Sequence, residues 1–314
     1  MNNRILFLVF LGLLGLYIAT KMSGGQKDRS FTAELIRVDT AAVSKILLYP
    51  KADNGEELTL ERNGNAWTIT KGSRKELAME NVVSALLADI TLIKAERVAA
   101  KTQAKWSDYE LDEAGTKSRI KIFAGTEMLG DFYVGRFKFD PNTRSATSFI
   151  RLAEADKVYA VAGFLSMNLG KSFVAFRDRS IVKLEPTAIN SLSFSYADNT
   201  NANYRLVNQE WILEGAGPVD STKIAEYLNG LANLSGLNFK DDFNPVKAIE
   251  SPERVVLDGP NLETPITVDI YKIDDETNPY IVNSSINQEA FLQGNTESIY
   301  SRLMKTKEAF LPTQ

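Results

Sequence analysis

"ELTLERNGNAWTI", residues 57–69, reads as two short strands either side of a turn, closed by Trp67. A looser version, "NYRLVNQEWIL", stands at 203–213 and carries Trp211. A loop copied for chemistry would repeat its polar residues, whereas a duplicated scaffold would repeat its apolar ones. The second copy keeps the Leu and the Trp and loses the charged "ER". What recurs is framework.

The echo is one of a series. "VSKILL" from Val43 is answered by "INSLSF" from Ile189 at an offset of 146, and Leu60 by Leu206 at the same offset. Trp67 meets Trp211 at 144, which reads as a second turn two residues shorter, since loop lengths drift easily. A helical pattern then follows each hairpin. "MENVVSALLADITLI" places Val83, Leu87 and Ile90 on one face, and "DSTKIAEYLNGLANL" places Ile224, Leu228 and Leu231 likewise. Asp220 and Ser221 are candidate N-caps for the second helix. Leu111-Asp112 is answered by Leu257-Asp258, and Ile120 and Ile122 by Ile266 and Val268. Order kept through both halves reads as a tandem duplication.

A chain of 314 residues with 44% hydrophobic and 24% charged residues has the length of about two domains and the composition of a folded protein. It contains no Cys and no His. Disulfides, thiolate metal sites, imidazole bases, His-dependent triads and HExxH zinc sites are therefore excluded. Carboxylate, Lys or Tyr chemistry survives, or none.

Residues 5–20, "ILFLVFLGLLGLYIAT", carry no charge and are bracketed by Arg4 and Lys21. As a helix they would span roughly 24 Å, near a hydrocarbon core of about 30 Å, with Lys21 snorkelling and Tyr17 at the interface. An uncleaved signal anchor is the expectation. Cleavage is the rival, weakened by Lys21 where a small residue would serve. Positive charges flank both ends, so orientation rests on the four-residue leader before a long domain, which puts the body outside the cytoplasm.

Downstream of the helix pattern, "SRIKIF" at 118, "MLGDFYVG" at 128, "SFIRL" at 148 and "KVYAVA" at 157 read as strands. So do "ITVDIYKI" at 266 and "PYIVN" at 279, across the turn-like "DDETN". Strands and helices without β-α-β alternation argue an α+β fold, a tandem duplication of a mostly antiparallel sheet plus helix domain, preceded by one N-terminal transmembrane helix. The expected segments are a transmembrane signal anchor at 1–22, a tether at 23–32, a first α+β repeat with hinge at 33–183 and a second repeat at 184–314. The hinge piece, 163–184, is expected to be partly helical.

The Trp hairpin, the Y-x-L-D turn (Tyr109, Leu111, Asp112), "KVYAVAGFL" at 157–165 and "FRDRSIVKL" at 176–184 resemble an uncharacterised bacterial family, the domain of unknown function numbered 4340. The resemblance covers most of the chain after about residue 40. It implies a membrane-anchored protein encoded beside an ABC-type transport system similar to the gliding-associated one. The implied role is an extracytoplasmic accessory of that transporter, in a bacterial inner membrane with the body in the periplasm. The family brings no catalytic residue and no cofactor. Its members often have Gly where this chain has Glu110.

Candidate site residues are few. Trp67 and Trp211 could stack on a sugar or peptide, but recurrence favours a core role under each helix. Arg177, Asp178 and Arg179 could grip a carboxylate or phosphate, or form a buried Arg–Asp pair at the inter-domain joint. Asp241-Asp242 and Asp274-Asp275-Glu276 lack calcium-loop spacing and read as solvated turns. There is no P-loop and no GxGxxG.

Residues 1–183 hold 27 Lys and Arg against 21 Asp and Glu, and residues 184–314 hold 9 against 19. Lys94, Arg97, Lys101 and Lys105, at near-helical spacing, could face anionic lipid or simply solvent. The acidic distal half makes nucleic acid a poor partner. The leading expectation is a non-enzymatic accessory protein of a transport complex, its partners lipid and integral-membrane subunits. The alternative is a membrane-tethered ligand or cell-wall binding module, with aromatics such as Trp106 or Tyr109 lining a groove between the repeats; a carboxylate hydrolase comes third.

Overall fold

The computed structural model describes residues 33–112, 118–248 and 250–312. The anchor and tether expected at 1–32 lie outside them. Among the described residues no helix is long and apolar enough to cross a membrane. The described chain is sheet-rich α+β, its strands pairing antiparallel and its helices few and short.

In order, the strands begin β1 Ala33–Arg37, β2 Lys45–Pro50, β3 Leu58–Asn63, β4 Ala66–Lys71 and β5 Arg74–Leu77, followed by helix α1 Glu80–Thr91. Then come β6 Leu92–Ala100, β7 Ser118–Ala124, β8 Glu127–Asp140, β9 Ser145–Leu152 and β10 Val158–Ala162, with short helices α2 Leu165–Leu169 and α3 Phe173–Phe176. The chain continues with β11 Ser180–Lys183, β12 Ser191–Ser195, β13 Asn201–Val207, β14 Glu210–Leu213, β15 Gly217–Pro218 and α4 Ser221–Leu231. It ends with β16 Asn233–Ser235, β17 Asn238–Phe239, β18 Glu253–Asp258, β19 Ile266–Lys272, β20 Tyr280–Ser284, β21 Asn287–Gly294 and α5 Ser301–Leu303.

Two compact units form. The first takes the chain to Asn63 and then Asn81–Ala175, and the second takes Gly64–Glu80 and everything from Phe176. Sequence pattern places the boundary at 183/184. Compactness places it at Ala175/Phe176 because the stretch after β5 is tied to the segment after α3: Met79 N donates to Phe176 O at 2.7 Å and Asp178 N to Leu77 O at 2.8 Å.

In the first unit the strand order is β1-β6-β10-β9-β8-β7-β2-β3. Period-two alternation decides the faces. On β7, Ile120 and Ile122 are fully buried while Arg119 and Lys121 point the other way. Ile46 stands opposite both Leu60 and Ile122, so three buried aliphatic side chains form one cross-strand row. The helix α1 buries Val83, Leu86 and Ile90; Leu87, expected with them, is only half-buried.

The residues after α1 depart from expectation. "LIKAERVAA" is strand β6, with Ile93 and Ala95 buried and Lys94 and Glu96 exposed, so its period is two and not 3.6. Lys94, Arg97, Lys101 and Lys105 are all exposed, yet they follow a strand and a 3-10 turn and form no helical stripe.

The second unit holds the β4–β5 hairpin, the β11–β16 pair and a nine-stranded sheet ordered β15-β14-β13-β12-β18-β19-β20-β21-β17. Leu257-Asp258, matched by pattern to Leu111-Asp112, is the end of β18, where Val255 and Leu257 alternate into the core. Leu206 is 39% exposed, and the buried positions on β13 are Ala202 and Tyr204. The two-residue length difference expected in the turn lies instead before β13, where the loop runs 196–200 against 51–57 before β3. Asp220 caps α4 as expected, accepting from Thr222 N at 2.9 Å and Lys223 N at 3.3 Å. The helix buries Ile224, Tyr227, Leu228 and Leu231. Tyr227 and Tyr204 pack on Phe194 and Phe310, and their hydroxyls donate to Leu303 O and Lys307 O, which fastens the C-terminal segment to the core.

Replacing Ile46 by Ala empties the centre of its three-residue row. It is expected to cost about 3 kcal/mol, as large-to-small changes at fully buried sites do, read as a lowered urea midpoint with an unchanged slope.

Candidate functional site

Trp67 on β4 and Trp211 on β14 are 7% and 6% exposed, so their rings are core and present no stacking platform. They share a backbone feature. Trp67 O accepts from Ala78 N at 2.8 Å and Trp211 O from Val219 N at 2.9 Å, in each case two residues before a helix begins.

Arg177, Asp178 and Arg179 do not pair with each other. Arg177 is fully buried and donates through Nε to Glu76 and through both terminal nitrogens to Asp241, at 3.0 and 2.8 Å. Arg74 bonds the same two carboxylates, reaching Asp241 at 2.6 Å. The Arg177 guanidinium carbon also lies 3.5 Å from the Phe239 ring centroid. Asp178 instead accepts from Ser180 N and Oγ, and its carbonyl from Asn287. Arg179 is half-buried, 5.5 Å from the same Phe239 ring.

Two arginines against two carboxylates is a neutral set whose donors are spent internally, a cross-link of the second unit. Asp241 sits in an exposed turn after β17, as expected, and its carboxylate also joins the cluster that Glu76 on β5 begins. Burial alone would raise its pKa, but bonds from Arg177 and Arg74 outweigh that and hold it below the ordinary carboxylate value. Asp275, in the other acidic run, does act as a turn former, accepting from Thr277 N and Asn278 N.

A site that pattern reading missed lies in the first unit, on the sheet face opposite the aliphatic row. Tyr49 on β2 stands opposite Arg119 on β7, Arg119 opposite Tyr133 on β8, and Tyr133 opposite Arg151 on β9. This Tyr-Arg-Tyr-Arg row lines a cleft of about 1150 Å³, with Asn54, Gln103 and Trp106 on its walls. Arg119 is neutralised by a two-bond pair with Asp131, at 2.9 and 2.7 Å. Tyr49 donates to Glu57 at 2.5 Å, and burial together with that carboxylate pushes its phenol up to about 12.

Arg151 is only 7% exposed. Its NH1 donates to Leu152 O at 3.4 Å and Ala153 O at 3.2 Å, and its Nε has no acceptor. The guanidinium carbon is 3.8 Å from the Trp106 centroid and 4.2 Å from that of Tyr133. Trp106 is held in place by its own indole N–H, which donates to Asp156 O at 2.8 Å. Tyr109 does not line the cleft; half-buried, it packs on Phe149 and bonds Ala99 O.

The Trp106–Leu111 turn closes on Glu110, whose φ of 57° and ψ of 43° are left-handed. Gly135 lies beneath it, where a Cβ would meet Tyr109 O at 2.1 Å. Alternation in "SRIKIF" and "SFIRL" shows that Arg119 and Arg151 share the alternation of their strands. Only the register shows that they share a row.

A family model described as "Domain of unknown function (DUF4340)" matches residues 77–251, more than half of the chain, and the chain belongs to that family. No curated protein and no solved structure matches it.

Arg177→Met is expected to cost about 3 kcal/mol or more, because Glu76, 3% exposed, loses its buried partner; adding Glu76→Leu should recover part of the loss. Asp241→Asn should destabilise at neutral pH. Since the folded pKa is depressed, that gap from the parent exists above the unfolded value of about 3.9 and closes as pH falls through the folded one, which thermal melts across pH 2–7 measure. Glu110→Gly relieves a left-handed backbone and should stabilise by up to about 1 kcal/mol in the same melts.

Proposed function

From membership of this family we propose that the chain is a non-enzymatic extracytoplasmic accessory protein of an ABC-type, gliding-associated-like transport complex. Residues 1–22 hold it in a bacterial inner membrane as a single-pass anchor, with the body in the periplasm. Two homologous units, arisen by tandem duplication, form that body.

The observation that carries this reading is the recurrence of connectivity. β3-β2-β7-β8-β9-β10 in one sheet has the same order and antiparallel sense as β13-β12-β18-β19-β20-β21 in the other. β6, paired with β1 and β10, is split in the second unit between β16, paired with β11, and β17, paired with β21. On this alignment Leu60 corresponds to Tyr204 and Ile122 to Leu257, since each faces Ile46 or its counterpart Leu192. Leu206 and Ile266, matched by sequence pattern, drop out of the correspondence. The repeated positions are buried, together with the bond that each Trp carbonyl accepts from the amide two residues before a helix. The positions that correspond are buried framework and carry no shared polar constellation among the described residues, which suits a scaffold for interaction.

Cross-linking in native membranes followed by gentle solubilisation and affinity capture of the full chain should bring down integral-membrane transporter subunits. Recovery of the chain without any such subunit, with cross-linking efficiency verified, refutes the assignment.

A second reading, a membrane-tethered ligand or cell-wall binding module, is favoured by one observation. Trp106 and the Tyr-Arg-Tyr-Arg row line a cleft inside the first unit itself.

A further inference from the structure

We propose that the cleft of the first unit binds a carboxylate carried on a small polar ligand, and that Arg151 receives it. This rests on the reading of the chain as a binding module and adds the chemistry of what is bound.

A guanidinium taken out of water needs compensation, and the second unit displays a complete case in Arg177, which meets two carboxylates and a ring. Arg151 is nearly as buried and has far less. Its NH1 reaches two backbone carbonyls at long range, its Nε–H has no acceptor, and among the described residues no carboxylate pairs with it. The nearest row neighbours bring no full counter-charge. Tyr133 offers Arg151 its ring and a side-chain hydrogen bond, and beyond it Arg119 has the same sign and already engages Asp131. Burial acts most strongly against the charge on Arg151 and Arg119 adds to it, while Tyr133 and Asp156 offset only part of that, so its pKa stays below the ordinary value.

The geometry narrows what could supply the missing charge. Trp106 and Tyr133 approach the guanidinium at distances that engage its faces, so the remaining donors lie along its edge. An in-plane edge with two N–H groups matches a planar carboxylate accepting two bonds. With Arg119 paired to Asp131, and Lys51 and Asp112 on the walls opposite in sign, Arg151 leaves the cleft one net positive charge, which matches one negative charge and not the two of a phosphate dianion. Asn54, Gln103 and Ser107 on the walls provide polar contacts for the rest of the ligand. Both a sugar acid and the carboxylate of a short peptide fit this description.

Full chain purified in mild detergent, titrated with glucuronate, N-acetylalanine, glucose and inorganic phosphate, tests the proposal through tryptophan fluorescence and thermal shift. Saturable binding of glucuronate or N-acetylalanine is expected, with glucose silent and phosphate weaker; which carboxylate binds identifies the source. Arg151→Met and Arg151→Lys should each weaken that binding at least tenfold. Without ligand, Arg151→Met should melt no lower than the parent, because it removes an uncompensated buried charge. A purely structural arginine would instead lower the melt. If Arg151→Met fails to fold, the idea is overturned on stability and Arg151→Lys has nothing left to rescue. Absence of saturable binding by both carboxylates, equal binding by either Arg151 variant, or tighter binding of phosphate also overturns it. No transporter subunit enters this titration, so its failure leaves the accessory role standing, and a failed capture leaves the cleft standing.

Discussion

The pairing of β2 with β7 decides both faces of the first unit's sheet. With Ile46 opposite Ile122 and Tyr49 opposite Arg119, one face becomes an aliphatic core and the other an aromatic and cationic row. Side chains alternate with a strict period of two, so a one-residue slip would bury Arg119 and Lys121 and expose Ile120 and Ile122. Desolvating two charges without partners costs several kcal/mol, which makes the register self-enforcing. The cleft is thus a by-product of the same constraint that builds the core.

Two buried arginines show how differently one side chain can be used. Arg177 satisfies its donors with Glu76 and Asp241 and rests on Phe239, so it locks β5 to the segment after β17. Arg151, on the cleft wall, is flanked by Trp106 and Tyr133 and meets backbone carbonyls and Tyr133 but no paired carboxylate among the described residues. Both lie in short polar–apolar alternations. Their difference comes from neighbours contributed by strands that are remote in sequence.

Much of the framework was legible from pattern. β7 to β10, β19, β20, the Trp-bearing strands, α4 and its Asp220 cap all follow from alternation, a 3.6-residue period or capping chemistry. Glu110 adopts a left-handed conformation that glycine takes without penalty, so the turn forms at the cost of strain. Misread elements have a common cause. β6 carries charges at near-helical spacing, and β18 is not among the expected strands; in both, a neighbouring strand supplied ladder bonds that local propensity cannot anticipate. Leu206 lost its expected burial because the two-residue length difference lies before β13, which leaves the in–out phase unchanged but puts Tyr204 opposite the core row and Leu206 in the exposed end of the strand.

From its residues alone the chain excludes imidazole and thiol chemistry, specifies a sheet-rich α+β fold, and repeats an apolar framework about 146 residues apart. Those properties are local or periodic, and side-chain periodicity is written directly into sequence. Which polar residues meet was decided by tertiary structure. Arg177 lies 101 residues from Glu76 and 64 from Asp241, and the Tyr49–Arg119–Tyr133–Arg151 row exists only once four strands have locked in register. Charge compensation depends on distances across strands, and those appear only when the sheet has formed.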